Sequence, residues 1–461
     1  MAPSISRKIA FDVLQRVEAE GAYATDVLHA ELDVGPAAAK LKPQDAALAT
    51  ELTLGVLRWR RLLDFLIERY TTKPVERLDL PVALALRMGA YQMRFLERIP
   101  ARAAVNESVE LVKRARKSSA APLVNAVLRK IAADAKSPAD KFLLPGMSAA
   151  ERLAILHSHP TWMVTRWLAR FGEPQTIPLL EANNRAPRLS LSVHAPEQRD
   201  EIIRALEKSG LRIEPGTLLK SAFAAGGGSP ARSEAFRSGQ ISIQDEASQA
   251  IPLLLGVRAG DRVLDLCAAP GGKTAALARA AGSGGTVIAA DLHAHRVRAM
   301  EAQCKRLGLQ NVQLVELDAT QPIPLPGEFD RILVDAPCSG TGTLARHPEI
   351  RWRLRPENLS ESQKLQTQIL SNALRKLAAG GKLVYSTCSI EPEENEHVIS
   401  QALRESPGIH PIPPAGAQQM LAPHLAPGVN ASSLFAVDGF FRTSPAAHRT
   451  DGFFAALLEK S

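Results

Sequence analysis

The sequence predicts a multidomain protein: an all-α N-terminal bundle, a small α+β module and a C-terminal doubly wound α/β domain. Three observations carry this expectation. The 461 residues exceed what one compact core usually holds. The first third carries apolar side chains at helical spacing, and from Ile251 onward strand-like and helix-like segments alternate.

In the first third, Ile9, Val13 and Val17 step by four, as do Val82, Leu86 and Ala90, with Met93 continuing the stripe. Val105, Val109 and Val112 repeat the spacing, and Val124, Val127, Leu128 and Ile131 follow Pro122. No period-two alternation interrupts these stripes, so 1–140 is expected to be a helical domain. Residues 132–147 shift to Ala, Asp, Lys and Pro, a linker composition. A second helical stretch should run from about Ser148 to Glu181, with Trp162 and Trp167 packing within it. Leu189-Ser-Leu191-Ser-Val193 alternates as a strand does, and a helix is expected from Pro196 to Ser209. Residues 148–245 are therefore assigned to the α+β module, with Gly226-Gly227-Gly228-Ser229 as a flexible loop.

In 246–461 the expected strands are Arg262–Leu266, Thr286–Ala290, Val312–Leu317, Arg331–Val334, Lys382–Ser386 and Asp451–Leu458. Helices are expected from Lys273, from Ala294 and near Glu361–Leu377. Such alternation indicates parallel βαβ units.

Composition bounds the function. Apolar residues make up 45% and charged residues 23%, a globular balance, and the formal charge is +8. Residues 1–135 hold 21 Lys+Arg against 16 Asp+Glu, so the excess concentrates there and suits a polyanionic partner. Arg58, Arg60 and Arg61, or Lys113, Arg114, Arg116 and Lys117, could contact phosphate or simply form a solvated face. Four scattered cysteines form neither a disulfide framework nor a zinc motif. No apolar run approaches the roughly 20 residues that span a bilayer, so a cytoplasmic protein without a membrane partner or metal is expected.

In open parallel sheets, ligands lie beyond the carboxyl ends of the strands. The first such loop reads Asp265-Leu-Cys267-Ala268-Ala269-Pro270-Gly271-Gly272-Lys273, whose glycines admit a ligand close to the backbone at a helix N-terminus. It lacks the GxGxxG fingerprint, which favours a nucleoside ligand without a pyrophosphate. Asp291, twenty residues after Gly271, is placed to accept from ribose hydroxyls. Asp318, ending the third strand, either faces an adenine edge or caps a turn. The fourth strand ends in Asp335-Ala-Pro-Cys338-Ser-Gly340 and the fifth in Ser386-Thr-Cys388-Ser, so two thiols open loops on one sheet edge. A buried cysteine is usually a small hydrophobe, but a pair at such strand ends is placed to react. Cys304, outside any motif, reads as inert core.

These segments, with Arg346-His-Pro-Glu-Ile-Arg-Trp352, Pro392-Glu-Glu-Asn395 and Gly239-Gln-Ile-Ser-Ile-Gln-Asp-Glu-Ala-Ser248, resemble the Nop2/Sun RNA cytosine-C5 methyltransferases over nearly the whole chain. The N-terminal domain is similar to the antitermination factor NusB, through Tyr91-Gln92, Arg98-Ile-Pro100 and Val124-Asn-Ala-Val-Leu-Arg129. The resemblance implies a class I, Rossmann-like catalytic domain with S-adenosylmethionine as cofactor. It also implies 16S ribosomal RNA as substrate, free or in small-subunit assembly intermediates, and a monomer. Carbon 5 of cytosine is too electron-poor to take a methyl group unaided, whereas a thiolate on carbon 6 makes it an enamine carbon. By resemblance Cys388 is that nucleophile and Cys338 assists release. Asp335 would hold the base at its N3 edge, and the target must be single-stranded or flipped out. The cofactor would lie against Cys267, Ala268, Ala269, Pro270, Gly271, Gly272, Lys273, Asp291, Asp318 and Asp335.

A transfer RNA methyltransferase of the same superfamily would share the catalytic half but not the NusB-like bundle. A non-catalytic RNA-binding assembly factor would need neither cysteine. A DNA methyltransferase would carry the Pro-Cys segment without the Thr-Cys partner.

Overall fold

A computed structural model describes residues 3–35 and 41–461. The chain divides into two compact units: Met1–Ala186 with Leu344–Arg353, and Pro187–Thr343 with Leu354–Ser461.

The first unit is helical throughout: α1 (Ile5–Glu20), α2 (Ala24–His29), α3 (Pro43–Arg58), α4 (Arg60–Glu68), α5 (Leu80–Phe95), α6 (Ala101–Arg114), α7 (Ala121–Asp134), α8 (Ala149–Leu156), α9 (Thr161–Phe171) and α10 (Glu173–Asn183). The spacing of Ile9, Val13 and Val17 buries all three on one face of α1, which ends at Gly21 in the left-handed region (φ 71°). Helix α5 is buried continuously from Val82 to Met93 and forms the centre of the bundle. Burying one of its leucines stabilises by roughly 1.5–3 kcal/mol as an upper bound. Gly55 lets α3 approach α5, since a Cβ there would lie 2.1 Å from the Tyr91 ring. Arg87, interior to α5, is neutralised by Asp64 at 2.7 Å and Glu18 at 2.9 Å.

Residues Leu344–Arg353, with the short helix α16 (Ile350–Arg353), complete this unit. Arg351 is fully buried, and its guanidinium donates to the carbonyls of Ser158, Asn183 and Leu344 and to Asn184 Oδ1. Trp352 donates to the Leu57 carbonyl at 2.6 Å.

The helices anticipated between Ser148 and Glu181 form as α8, α9 and α10, with Ser148 and Glu151 making a reciprocal capping box. They cluster with the helical unit, whereas the strands of the 148–245 segment begin the second unit. Of the two tryptophans expected to pack here, Trp167 is buried and Trp162 half-buried.

In the second unit, β1 (Leu189–Val193), β2 (Arg212–Pro215), β3 (Ala222–Gly226) and β4 (Ile241–Ile243) make an antiparallel sheet in the order β2-β3-β1-β4, accompanied by α11 (Arg199–Lys208) and α12 (Glu234–Arg237). Then follow α13 (Glu246–Leu254), β5 (Arg262–Leu266), α14 (Gly272–Ala281), β6 (Thr286–Asp291), α15 (Ala294–Arg306), β7 (Val312–Glu316) and β8 (Phe329–Asp335). After the excursion through α16 come α17 (Pro356–Leu374), β9 (Leu377–Thr387), α18 (Glu396–Glu405), β10 (Ile409–Pro411), β11 (Phe441–Arg442) and β12 (Phe454–Lys460). The large sheet runs β10-β12-β9-β8-β5-β6-β7. Strands β7, β6, β5, β8 and β9 are parallel, and β12 pairs antiparallel with β9. The sheet is therefore mixed: the expected last strand forms, but it returns against the parallel set. Strand order reverses at β5, flanked by β6 and β8, which puts a crevice at the carboxyl ends of these strands.

Candidate active site

Every sequence-predicted site residue lies at or just beyond a strand end of the large sheet. After β5, Cys267 adopts φ 59°, the Ala269–Pro270 peptide is cis, and Gly271 (φ 98°) is the N-cap of helix α14. Lys273, in the first turn of α14, reaches Asp335 Oδ2 at 2.6 Å. The other oxygen of Asp335 accepts from Ser386 Oγ at 2.7 Å, which ties the ends of β8 and β9 together.

Asp291, buried at the end of β6, accepts from the Ala269 amide at 3.2 Å and lies 3.2 Å from the Arg296 guanidinium. Asp318 is exposed and accepts from both the amide and the hydroxyl of Thr320. Those bonds hold its carboxyl below the usual carboxylate range. Cys267 lines the loop, its thiol pushed up by burial. Cys304 is buried in α15, and burial pushes its thiol up.

The two thiols meet. Cys338 Sγ lies 3.2 Å from Cys388 Sγ, neither is in a disulfide, and Gly342 donates its amide to the Cys388 carbonyl at 2.9 Å. Contact with Cys388, followed by burial, pushes the Cys338 thiol well up, so it stays protonated at neutral pH.

Some residues of the crevice escaped sequence reasoning. A cavity of about 140 Å³ is lined by Gln244, Ser248, Asp265, Pro270, Lys273 and Asp335, among others. Asp265 is fully buried; Thr274 Oγ1 donates to its Oδ2 at 2.7 Å, while Oδ1 has no partner. Burial pushes its carboxyl up to about 7. The signal was available: a lone aspartate inside the apolar strand Arg262-Val-Leu-Asp-Leu266 must be there for its charge or its hydrogen bonds. Glu394 and Gln366, both fully buried beside the Cys338 loop, gave no such signal, because their partners are distant in sequence.

The arginines Arg58, Arg60 and Arg61 are all partnered inside the helical unit. Arg58 is buried and donates to the Ala345 carbonyl, Arg60 pairs with Glu18 and Asp64, and Arg61 donates to the His159 carbonyl. Lys113, Arg114 and Lys117 stay at the surface, paired with Glu110, Asp12 and Asp79. Among the described residues, no helix is long and apolar enough to cross a membrane, and no group of three His, Cys, Asp or Glu is arranged to hold a metal.

The parallel strands β5–β9 of the mixed sheet, the glycine loop and the carboxylates at successive strand ends define a Rossmann-like methyltransferase domain. The family description "16S rRNA methyltransferase RsmB/F" matches residues 252–459, "NusB family" matches 4–133, and the RsmF/B-like ferredoxin-like domain matches 159–225. Ribosomal RNA small subunit methyltransferase B of Citrobacter koseri is 32% identical over 98% of each chain, as is the probable ribosomal RNA small subunit methyltransferase B of Bacillus subtilis. Among solved structures, PH0851 superposes with a TM-score of 0.82 at 25% identity over 100% of both chains. A methyltransferase homolog protein from Pyrococcus horikoshii gives 0.57 at 30% identity, over 69% of this chain and 100% of its own. The chain belongs to the ribosomal RNA small subunit methyltransferase B family.

Proposed function

We propose that the protein methylates carbon 5 of a cytosine in 16S ribosomal RNA, using S-adenosylmethionine and a covalent adduct between Cys388 and carbon 6 of the base. The observation that carries this reading is the meeting of two thiols, 3.2 Å apart, at the carboxyl ends of adjacent strands beside the glycine loop. The names of the relatives supply the ribosomal RNA.

The residues present fit the cofactor. The loop Cys267–Lys273 offers backbone at a helix N-terminus, Asp291 and Asp318 follow the next strands, and the unpartnered Asp265 Oδ1 suits an ammonium group. When bound, S-adenosylmethionine supplies an electrophilic methyl group. Addition of the Cys388 thiolate to carbon 6 makes carbon 5 nucleophilic. After methylation, carbon 5 gives its proton to solvent water, the electrons of the C5–H bond re-form the C5–C6 double bond, and the C6–S bond breaks to return the Cys388 thiolate. Cys338, touching the departing sulfur, assists that step. Asp335 faces the N3 edge of the base; its Oδ2, shared with Lys273, retains a second lone pair that can accept from the exocyclic amine or from N3–H of the adduct.

The test is transfer of labelled methyl from S-adenosylmethionine to unmodified 16S ribosomal RNA and to transfer RNA. Transfer to the ribosomal RNA is expected, and transfer to transfer RNA alone would overturn the substrate. Cys388→Ser should abolish transfer, while Cys338→Ala should accumulate a covalent protein–RNA complex. Accumulation in the first variant instead would reverse the two roles.

A further inference from the structure

The far end of the Cys338 loop is held from within, Thr343 donating its amide at 2.9 Å and its hydroxyl at 2.8 Å to the Gly340 carbonyl. The residues flanking Cys338 are held from outside. Glu394 is fully buried; its Oε1 accepts from the Ser339 amide at 2.7 Å and its Oε2 from the Ser339 hydroxyl. Gln366, on α17, donates from Nε2 to Glu394 Oε1 at 3.2 Å and to the Pro337 carbonyl at 2.8 Å. The residues immediately before and after Cys338 are thus gripped by one carboxylate–amide pair.

The loop after β9 carries the other thiol. Asn395, next to Glu394, donates to the Ser389 carbonyl at 2.9 Å and accepts from Thr387 Oγ1 at 2.6 Å, bracketing Cys388. Ser389 Oγ lies 3.2 Å from both Ser339 Oγ and Thr341 Oγ1. Tyr385 donates its hydroxyl to the Glu394 carbonyl at 2.7 Å, anchoring the brace to β9.

We infer that Glu394 is a positioning residue for the release step, holding Cys338 against Cys388 through paired hydrogen bonds to Ser339. This rests on the division of labour proposed above, with Cys338 acting in release. Glu394 itself touches neither thiol and carries no proton in the reaction. Its freedom from solvent keeps both bonds short of water's competition, and a displacement of about 1 Å at a reacting group can cost about a hundredfold.

The experiment uses the full chain with 16S ribosomal RNA and S-adenosylmethionine, measuring single-turnover methyl transfer and decay of the covalent complex separately. Glu394→Ala should slow decay by about tenfold or more while methyl transfer changes by less than about threefold. Glu394→Gln should restore decay to within about threefold of wild type, because its carbonyl accepts from the Ser339 amide and its NH₂ donates to the Ser339 hydroxyl. Ser339→Ala, which keeps the amide bond, should fall between them and serves if Glu394→Ala does not fold. Equal loss of both steps in Glu394→Ala would overturn the inference, as would undiminished decay in both Glu394→Ala and Ser339→Ala. A Glu394→Gln variant as impaired as Glu394→Ala would show that the charge, not the placement, matters. If Cys338→Ala fails to accumulate the complex, the failure lies instead with the assignment of Cys338.

Discussion

Gly342→Ala tests how closely the Cys338 loop is built against the rest of its unit. Gly342 does not use a positive φ, so alanine suits its backbone and the penalty is steric alone. A Cβ at this position would lie 2.0 Å from the Gly452 carbonyl oxygen and 2.7 Å from its carbon, against ordinary contacts of 3.4 Å or more. Relief requires movement of over an ångström. Gly342 is fixed on both sides, donating to the Cys388 carbonyl at 2.9 Å and accepting from the Gly452 amide at 2.8 Å, and Gly452 leads directly into buried β12. Overpacking of this kind costs about 1–3 kcal/mol, and each backbone hydrogen bond lost adds about 1 kcal/mol. The sum, about 2–4 kcal/mol, lowers the melting temperature of a unit this size by roughly 5–10 °C. Because the Cys388 carbonyl is one of the disturbed partners, methyl transfer should fall by about tenfold or more. Thermal unfolding followed by tryptophan fluorescence and circular dichroism, with methyl transfer at saturating S-adenosylmethionine, reads both. A Gly342→Ala protein with melting and activity indistinguishable from wild type would refute the reasoning.

Three further outcomes follow from the geometry. Burial raises the Asp265 carboxyl from 3.8 to about 7, so its contribution to stability is present below about pH 4 and lost as pH rises through 7. At about 1.4 kcal/mol per unit the ceiling is about 4 kcal/mol, and cofactor-free Asp265→Asn should gain melting temperature relative to wild type between about pH 5 and pH 8; parallel curves would contradict this. Arg351→Met keeps the volume but leaves the acceptors of Ser158, Asn183, Asn184 and Leu344 unpaired, so the helical unit should lose about 3 kcal/mol or more in denaturant; an unchanged midpoint would show those bonds to be worth little. With thiols 3.2 Å apart, hydrogen peroxide should oxidise one to a sulfenic acid, which the other attacks with loss of water, giving a disulfide. Activity should vanish and return with dithiothreitol, and peptide mapping should recover Cys338 joined to Cys388; inactivation without that linkage would count against it.

Much of the site could be read from the chain because strand ends are local events. An apolar run followed by Asp291, Asp335 or the Cys267–Lys273 loop announces where a parallel strand stops, and the crevice follows. What could not be read depends on contacts between distant segments. The antiparallel return of β12 beside β9 leaves no trace in its own composition, since a strand buried on both faces looks alike in either direction. The membership of α8, α9 and α10 in the helical unit is likewise settled by packing partners and not by their own periodicity. Arg58 and Arg61 read as surface cations until their distant acceptors, the carbonyls of Ala345 and His159, are known. The segment Pro392-Glu-Glu-Asn395 was legible as a family motif, but the place of Glu394 within it was not, because only the fold brings Ser339 to it.

The ten residues Leu344–Arg353, which finish the helical unit, are encoded within the sequence of the catalytic one. The two halves of the protein are therefore not modular in the sense that a gene cut between them yields two self-sufficient pieces. An N-terminal segment expressed alone would lack Arg351 and Trp352, leaving the carbonyls of Ser158, Asn183 and Leu57 without their donors. A chimera that borrows its helical half from a relative would inherit a seat shaped for someone else's Arg346–Trp352 segment. In an alignment of relatives, the sequence Arg346-His-Pro-Glu-Ile-Arg-Trp352 should covary with the N-terminal helices it completes more than with the strands on either side of it.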